Sequence, residues 1–307
     1  MNSNYKDTPL SSYKIVFFGS LGVMSYAALQ TLLKRKAPIA AVIIPGIKPE
    51  DTLTNRLANI PVIQTPKHET IELLALEYNI PITYVNRLDD LESYSNISKF
   101  NPHFILVACF PYILPQKIWQ LARIASLNVH PSLLPKYRGP NPIFWQLRNG
   151  ETRTGVTLHL VTDLVDGGDV ILQRDVIIKN GMRDRAINYL AGEQGAKIFI
   201  EALRLYRQKA IEPKPQDPAG ASYMKSPTID DFAIPLRWSA QHAFNFMRGT
   251  EDWKMPYTVH CGGRSIRLES AIAYSPAGAM EEDYLIDERF VCIRFAQGVL
   301  QAYSNNP

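Results

Sequence analysis

The first two hundred residues alternate short apolar runs with segments whose apolar residues recur at helical spacing. Apolar runs cover residues 13–18 and 39–45, and the segment between them has helical spacing and a basic last turn. A short apolar run is typical of a buried strand, whereas a 3.6-residue spacing is typical of an amphipathic helix. This strand–helix–strand order indicates a parallel sheet with helices packed on its faces.

The same alternation continues to about residue 205. Further strands are predicted at residues 82–85, 104–109, 125–130, 156–162 and 170–178. Further helices are predicted at residues 70–78, 114–122 and 183–205. We therefore predict an α/β fold for residues 1–210, a Rossmann-like and mostly parallel sheet with helices on both faces.

The pattern changes after residue 210. Residues 211–225 contain three prolines and are interpreted as an extended linker. Beyond it, short strand-like runs are broken by Gly-Gly and by proline, and one helix is predicted at residues 239–248. Residues 226–307 are therefore expected to form a small β-rich, OB-like domain.

Composition narrows the class of protein without identifying it. The formal net charge of the 307 residues is +4, which permits an anionic substrate but lacks the dense basic character of an obligate nucleic-acid binder. Three widely spaced cysteines indicate no disulfide framework. A polar N-terminus and the lack of a long apolar run lead us to expect a cytoplasmic protein that does not enter a membrane.

The first stretch that could carry chemistry surrounds Asn128 and His130. These residues are two apart on a predicted strand, so their side chains share one face. Pro131 ends that strand, and open α/β sheets bind ligands at the carboxyl ends of their strands. The two side chains are therefore well placed for a site, although on spacing alone such a pair more often reflects turn chemistry and a hydrogen-bonded structural histidine.

A second stretch, residues 162–170, holds Asp163, Asp166 and Asp169 around a Gly-Gly pair between two predicted strands. Taken alone, this composition is also that of an ordinary hairpin. It lacks the spacing of a calcium loop, so no metal site is predicted. Nearby, His159 is interpreted as a strand histidine rather than a ligand contact, and Arg138 as either an anion contact or a residue that pins its loop.

Taken together, the two stretches resemble the formyltransferase superfamily that uses 10-formyltetrahydrofolate. Asn128 to Gly139 follow the pattern N-x-H-P-S-L-L-P-x-x-R-G, and Asp163 to Asp169 follow D-x-x-D-G-G-D. The resemblance implies a catalytic trio of Asn128, His130 and Asp166. It implies a folate donor site lined by Phe110, Tyr112, Ile113, Leu114, Leu133, Leu134, Pro135, Val161, Thr162, Asp163 and Val165.

The residue types suit the implied reaction, in which a primary amine attacks a formyl carbon. Asn128 is a neutral donor for the oxygen that gains negative charge, and His130 is expected to stabilise the same charge. Asp166 is expected to orient His130, to raise its pKa, and to help move the proton of the amine through water.

The acceptor is less well specified than the chemistry. The two-domain layout is similar to family members that formylate methionyl-tRNA, which is the acceptor we expect first. A nucleotide-linked amino sugar, hydrolysis of the donor, and a folate-binding regulatory protein remain alternatives. The segment at residues 45–60, which is basic in enzymes acting on tRNA, here balances Lys48 and Arg56 against Glu50 and Asp51.

Overall fold

The computed structural model describes residues 10–46 and 69–304, so most of the neutral segment at 45–60 lies outside the described residues. Contacts divide the chain into two compact units. The first unit comprises residues 1–138, 155–176 and 188–222, and the second comprises residues 139–154, 177–187 and 223–307. Each unit is therefore built from several separate stretches of the sequence. The domain limits at 1–210, 211–225 and 226–307 stay a prediction.

The first unit is built on a seven-stranded sheet in the order β3-β2-β1-β4-β5-β6-β7. Its strands are β1 (Ile15–Gly19), β2 (Ile39–Pro45), β3 (Ile82–Val85), β4 (Phe104–Ala108), β5 (Ala125–His130), β6 (Arg153–Leu160) and β7 (Val170–Ile177). The first five strands run parallel, and β6 runs antiparallel to β5. The predicted mostly parallel sheet is confirmed.

Helices cover both faces of this sheet. They are α1 (Val23–Lys34), α2 (Ile71–Glu77), α3 (Leu91–Ser98), α4 (Gln116–Trp119) and α6 (Asp184–Gln208). On β1, Ile15 and Phe17 join the apolar cluster that contains α1, α2 and α6, while Val16 and Phe18 join the cluster that contains α3 and α4. This alternation is the expected period of a strand buried on both faces.

The helix predicted at residues 114–122 is shorter in the structure. It covers only Gln116–Trp119, with Pro115 at its N-cap. The Ser126 hydroxyl donates to the Trp119 carbonyl at 2.5 Å, which satisfies a backbone acceptor at the point where the helix ends.

The packing of α6 against β5 determines which face of that strand is covered and which face can carry a site. A Cβ added at Gly195 of α6 would lie 2.2 Å from Val129 Cγ1, so only glycine allows this close approach. Val129 thus packs beneath α6, and its neighbours Asn128 and His130 point to the opposite face of the sheet.

The second unit has its own sheet and core. It contains α5 (Pro142–Arg148), α7 (Ala240–Thr250), β8 (Tyr257–Cys261), β9 (Arg264–Ser275), β10 (Tyr284–Ile286), β11 (Phe290–Arg294) and β12 (Val299–Ser304). The five strands pair antiparallel in the order β10-β11-β12-β9-β8. The predicted β-rich fold is confirmed, with a core of packed aromatic rings around Phe144 and Phe246.

Helix α5 is the main element that the sequence pattern did not predict. Asn141 immediately before it has a φ of 55°, and Pro142 occupies the first turn, where proline is tolerated. The helix then ends where the His242 ring donates to the carbonyls of Leu147 and Arg148 at 3.2 and 3.1 Å. Its stability therefore depends on a residue almost a hundred positions away.

Candidate active site

The carboxyl end of β5 presents two polar side chains on one face. Asn128 is partly buried, and His130 is only 5% exposed. Buried polar groups need partners, and both residues have them. The expected sharing of a face is therefore present at the expected strand end.

Asp166 reaches both residues from the loop between β6 and β7, residues 161–169, called here the Asp166 loop. Asp166 Oδ1 accepts from Asn128 Nδ2 at 3.2 Å and lies 3.5 Å from His130 Nδ1. Asp166 has a φ of 51°, a left-handed conformation that aspartate tolerates better than most residues. The sequence-predicted trio thus meets around one carboxylate oxygen.

Gln216, a residue of the predicted linker, holds the Asp166 loop in place. Its Nε2 donates to the carbonyls of Asp166 and Gly168 at 2.8 and 2.7 Å. Its Oε1 accepts two bonds from the Arg138 guanidinium, at 3.1 and 2.8 Å. Of the two roles considered for Arg138, the structure thus supports the pinning role, and the contribution of Gln216 was not predicted.

The hydrogen bonds of His130 identify its tautomer. Nε2 lies 2.7 Å from the carbonyl oxygen of Tyr137. Because a carbonyl oxygen accepts only, Nε2 must carry the hydrogen. The other ring nitrogen, Nδ1, faces Asp166 and holds a lone pair when the ring is neutral.

The pKa of His130 is lowered from its ordinary value, chiefly because the ring is buried away from water. Asp166 and the bond to Tyr137 act in the opposite direction, and His159 adds to the lowering. The expected raising effect of Asp166 on the pKa is thus present, and burial outweighs it. His130 is therefore mostly neutral at pH 7.

His159 belongs to the same network. It pairs with Asn128 across β5 and β6, is 2% exposed, and places Nε2 at 3.0 Å from Asn128 Nδ2. The interpretation as a strand histidine is incomplete, because the ring touches a trio residue directly. A sequence signal existed, since an antiparallel β6 would set His159 opposite Asn128, but the pairing direction was unknown.

The loop after β4, residues 109–115 and called here the Phe110 loop, carries four of the predicted donor-site residues. Phe110 packs edge-on against Phe18 and Tyr112, and Leu114 is buried. Tyr112 and Ile113 are instead 38% and 71% exposed. Tyr112 and Ile113 border an open depression of about 270 Å³, which is also lined by Pro115 and residues 86–89.

The remaining predicted donor-site residues divide between buried and exposed positions. Leu134 is buried, and its backbone N–H donates to Thr157 Oγ1 at 3.1 Å. Leu133 and Pro135 are partly buried on either side of it. In the Asp166 loop, Val161 and Val165 are partly buried, while Thr162 and Asp163 are exposed.

The described residues contain neither a metal-binding cluster nor a membrane-spanning helix. Over the described ranges, no group of three or more His, Cys, Asp or Glu side chains is arranged to hold a metal ion. Among the same residues, no helix is both long and apolar enough to cross a bilayer.

Comparison with known proteins agrees with this geometry. A family model described as formyl transferase matches residues 13–203. A methionyl-tRNA formyltransferase from Thermodesulfovibrio yellowstonii is 31% identical over 244 residues, which cover 80% of this chain and 75% of that protein.

Two solved structures share the fold over most of the chain. An N-formyltransferase from Helicobacter canadensis, in complex with folinic acid and dTDP-3-aminofucose, has a TM-score of 0.66 at 16% identity, covering 94% of this chain and 98% of that one. A methionyl-tRNA formyltransferase from Clostridium thermocellum has a TM-score of 0.53 at 14% identity, covering 85% and 93%. The chain therefore belongs to the formyl transferase family, whose enzymes use a formyltetrahydrofolate donor.

Proposed function

We propose that this enzyme transfers a formyl group from 10-formyltetrahydrofolate to a primary amine, using Asn128, His130 and Asp166. The observation that carries the proposal is the convergence of all three side chains at Asp166 Oδ1. Such a group combines a neutral hydrogen-bond donor, a proton acceptor and a fixed negative charge. Acyl transfer to an amine needs all three.

His130 is proposed to take the proton of the attacking amine at Nδ1. The lowered pKa keeps the ring neutral at pH 7, and the bond from Nε2 to Tyr137 leaves Nδ1 as the accepting atom. Once Nδ1 carries the proton, the ring is positive and faces Asp166 Oδ1 at 3.5 Å. The carboxylate then stabilises the imidazolium, which makes the proton transfer easier. As the bond between the formyl carbon and N10 of the donor breaks, N10 takes up the proton and tetrahydrofolate leaves.

Asn128 is proposed to stabilise the formyl oxygen as it gains negative charge. Its amide is neutral, so it donates to that oxygen without needing to change protonation state. It is held on a strand rather than on a loop, which limits the reorganisation needed during the reaction.

The donor supplies the activated formyl group, and the residues present suit an elongated aromatic molecule of this kind. The open depression beside Tyr112 and Ile113 offers exposed apolar and aromatic side chains. The exposed part of the Asp166 loop adds Leu164, which is 61% exposed. Of the eleven donor-site residues named from the sequence, Tyr112 and Ile113 border this depression. We propose that the eleven together hold the donor, with the buried Leu114 and Leu134 supporting the site from the core.

Methionyl-tRNA is the first candidate acceptor. The proposal rests on the relatives of that name that match this chain over about 80% of its length. Because their identity is near 30%, the shared reaction is better supported than the shared acceptor.

A nucleotide-linked amino sugar is the second candidate, and the charge distribution favours it. The second unit contains thirteen Lys and Arg residues against twelve Asp and Glu residues. A surface that binds the phosphates of tRNA needs an excess of basic side chains, because the release of counterions drives the affinity of proteins for nucleic acid. The near balance suits a small acceptor better.

One experiment separates the candidates. The full chain is incubated with 10-formyltetrahydrofolate and either methionyl-tRNA or a dTDP-linked 3-amino sugar, and both tetrahydrofolate release and formylated product are measured. We expect release to require one acceptor and to disappear in Asp166→Asn. Release without any acceptor would identify a hydrolase. Donor binding without release under any condition would identify a regulatory binder and overturn the proposed transferase.

A further inference from the structure

The side chain that decides how Asn128 faces the site lies outside the trio. We propose that His159 is a positioning residue, whose neutral Nε2 accepts one hydrogen of the Asn128 amide and so fixes the direction of the other. This inference rests on the proposed formyl transfer for its consequence, although the contact itself can be tested separately.

The tautomer of His159 follows from its second contact. Nδ1 lies 2.8 Å from the carbonyl oxygen of Leu160, the next residue in the chain. A carbonyl oxygen cannot donate, so Nδ1 carries the hydrogen. In the neutral ring Nε2 is then an acceptor. Asn128 Nδ2 lies 3.0 Å from it and is the donor within hydrogen-bond distance, while Asp166 Oδ1, which can only accept, lies farther away at 3.5 Å.

The orientation of the Asn128 amide follows in turn. Its nitrogen lies between two acceptors, His159 Nε2 at 3.0 Å and Asp166 Oδ1 at 3.2 Å. A flipped amide would place its oxygen against a carboxylate oxygen and a nitrogen lone pair, with no hydrogen between them. The Nδ2 group has two hydrogens, so each acceptor receives one.

The two bonds have different roles in the proposed reaction. The bond to His159 joins the side chains of two residues that are paired across β5 and β6. The bond to Asp166 is longer and leads to a loop residue. An incoming oxygen that gains negative charge can replace Asp166 as the acceptor, while His159 keeps the amide from turning. Asp166 then pairs with the protonated Nδ1 of His130, which it already faces at 3.5 Å.

The burial of His159 makes this role specific. At 2% exposure, water does not substitute readily for the lost acceptor, so one hydrogen of Asn128 would lack its partner when the ring is removed. The amide would then sample other orientations, some of which present its oxygen to the site. A residue that only filled space at this position would not have this effect.

The test compares two variants at position 159 with one control variant at position 103. In His159→Leu the acceptor is lost, and we expect kcat for formyl transfer to fall about tenfold, below the 10²–10³ loss typical of removing such a donor itself. In His159→Gln the amide oxygen can accept, and kcat should stay within about threefold of the native value. KM for 10-formyltetrahydrofolate should change little in either. His103→Leu is the matched control, because that ring accepts from Lys14 N near the start of β4.

A double-mutant cycle separates positioning from general damage. In an Asn128→Ala background, His159→Leu should cause almost no further loss of kcat, because the amide that it orients is gone. If the two losses multiply instead, His159 does not act through Asn128. Equal kcat values for native protein and His159→Leu, in a folded variant, would likewise overturn the proposal.

A measurement without turnover distinguishes this proposal from the proposed function. Nitrogen-15 NMR of the histidine rings should show the His159 ring hydrogen on Nδ1 and a lone pair on Nε2, with an Nε2 shift that changes in Asn128→Ala. If formyl transfer fails with every acceptor but this pattern is present, the proposed function is wrong and the contact stands. A ring protonated at Nε2 would overturn the contact itself.

Discussion

The end of β5 and the Phe110 loop lie in the same unit and hold their polar and aromatic groups in different ways. Asn128 and His130 stand on a strand. Asn128 Nδ2 and His130 Nε2 have protein partners at 3.2 Å or less, and His130 Nδ1 lies 3.5 Å from Asp166. In the Phe110 loop, Tyr112 and Ile113 project outward beside an open depression. The first region is organised before any ligand arrives, whereas the second offers surface that a ligand can cover.

This difference separates two properties that the enzyme needs. The proposed chemistry depends on fixed angles and distances. Two of its groups stand on a strand, and the third, Asp166, is held by hydrogen bonds to its loop. Binding of the donor depends more on area and shape, which exposed side chains provide. Substitutions in the first region should therefore lower kcat, and substitutions in the second should raise KM.

The largest effect is expected for Asp166→Asn, which removes the charge facing His130 and leaves the side chain about the same size. Loss of assisted proton transfer predicts a fall in kcat of about 10³. Steady-state kinetics, with the acceptor that the experiment under Proposed function identifies, measures this fall. Asp287→Asn, in the hairpin between β10 and β11, is the control for loss of one carboxylate. A kcat within tenfold of native would contradict the role of Asp166.

A smaller loss is expected for Gln216→Glu, which has almost the same shape but no hydrogen to donate. The carbonyls of Asp166 and Gly168 would lose their bonds, while Arg138 would keep a partner. We expect kcat to fall about tenfold because the Asp166 loop loses its alignment with His130. Arg138→Leu should have the weaker effect of the two. The reverse order would show that Arg138, not Gln216, holds the loop.

Two alanine substitutions in the Phe110 loop sharpen the contrast within one segment. Tyr112→Ala should raise KM for 10-formyltetrahydrofolate by about fivefold and change kcat by less than twofold, as expected for uniform binding. Leu114→Ala removes a buried side chain and should instead destabilise the protein by about 2–5 kcal/mol. Thermal unfolding and steady-state kinetics on the same samples distinguish the two outcomes.

The smallest expected effect is a loss of stability in mild acid. The pKa values of His130 and His242 are both lowered, so folding favours their neutral forms. The unfolded chain takes up protons on these rings near pH 6.5, before the folded one does, and the free energy of unfolding falls as pH drops below that value. The Tm should fall from pH 7.5 to 5.5, and by less in His242→Gln. An equal fall would exclude a contribution from His242.

The trio was predicted from the family resemblance, and local sequence features supported only part of it. Asn128 and His130 share a face through strand periodicity, and Pro131 marks the strand end. Asp166 was assigned from the family pattern rather than from spacing, since its approach depends on a left-handed turn. Those residues and that pattern sufficed to predict that the three side chains meet at the end of β5, as the structure shows.

His159 and Gln216 were beyond that kind of reasoning. Each acts through a partner distant in sequence, 31 residues from His159 to Asn128 and 50 from Gln216 to Asp166. The first depends on the direction in which β6 pairs, and the second on the path of a segment that its prolines mark only as extended. The helix α5 was missed for a related reason, because tertiary contacts rather than periodicity stabilise its ends.

The bonds made by Gln216 bear on where this enzyme can be shortened. The residues that match the family model end at 203, and the long helix ends at Gln208, so either point looks like a natural place to stop. A fragment ending there would retain Asn128, His130 and Asp166 and would lack the side chain that ties down the Asp166 loop. A piece that retains this support for the Asp166 loop therefore extends into the stretch that its composition marks only as a linker.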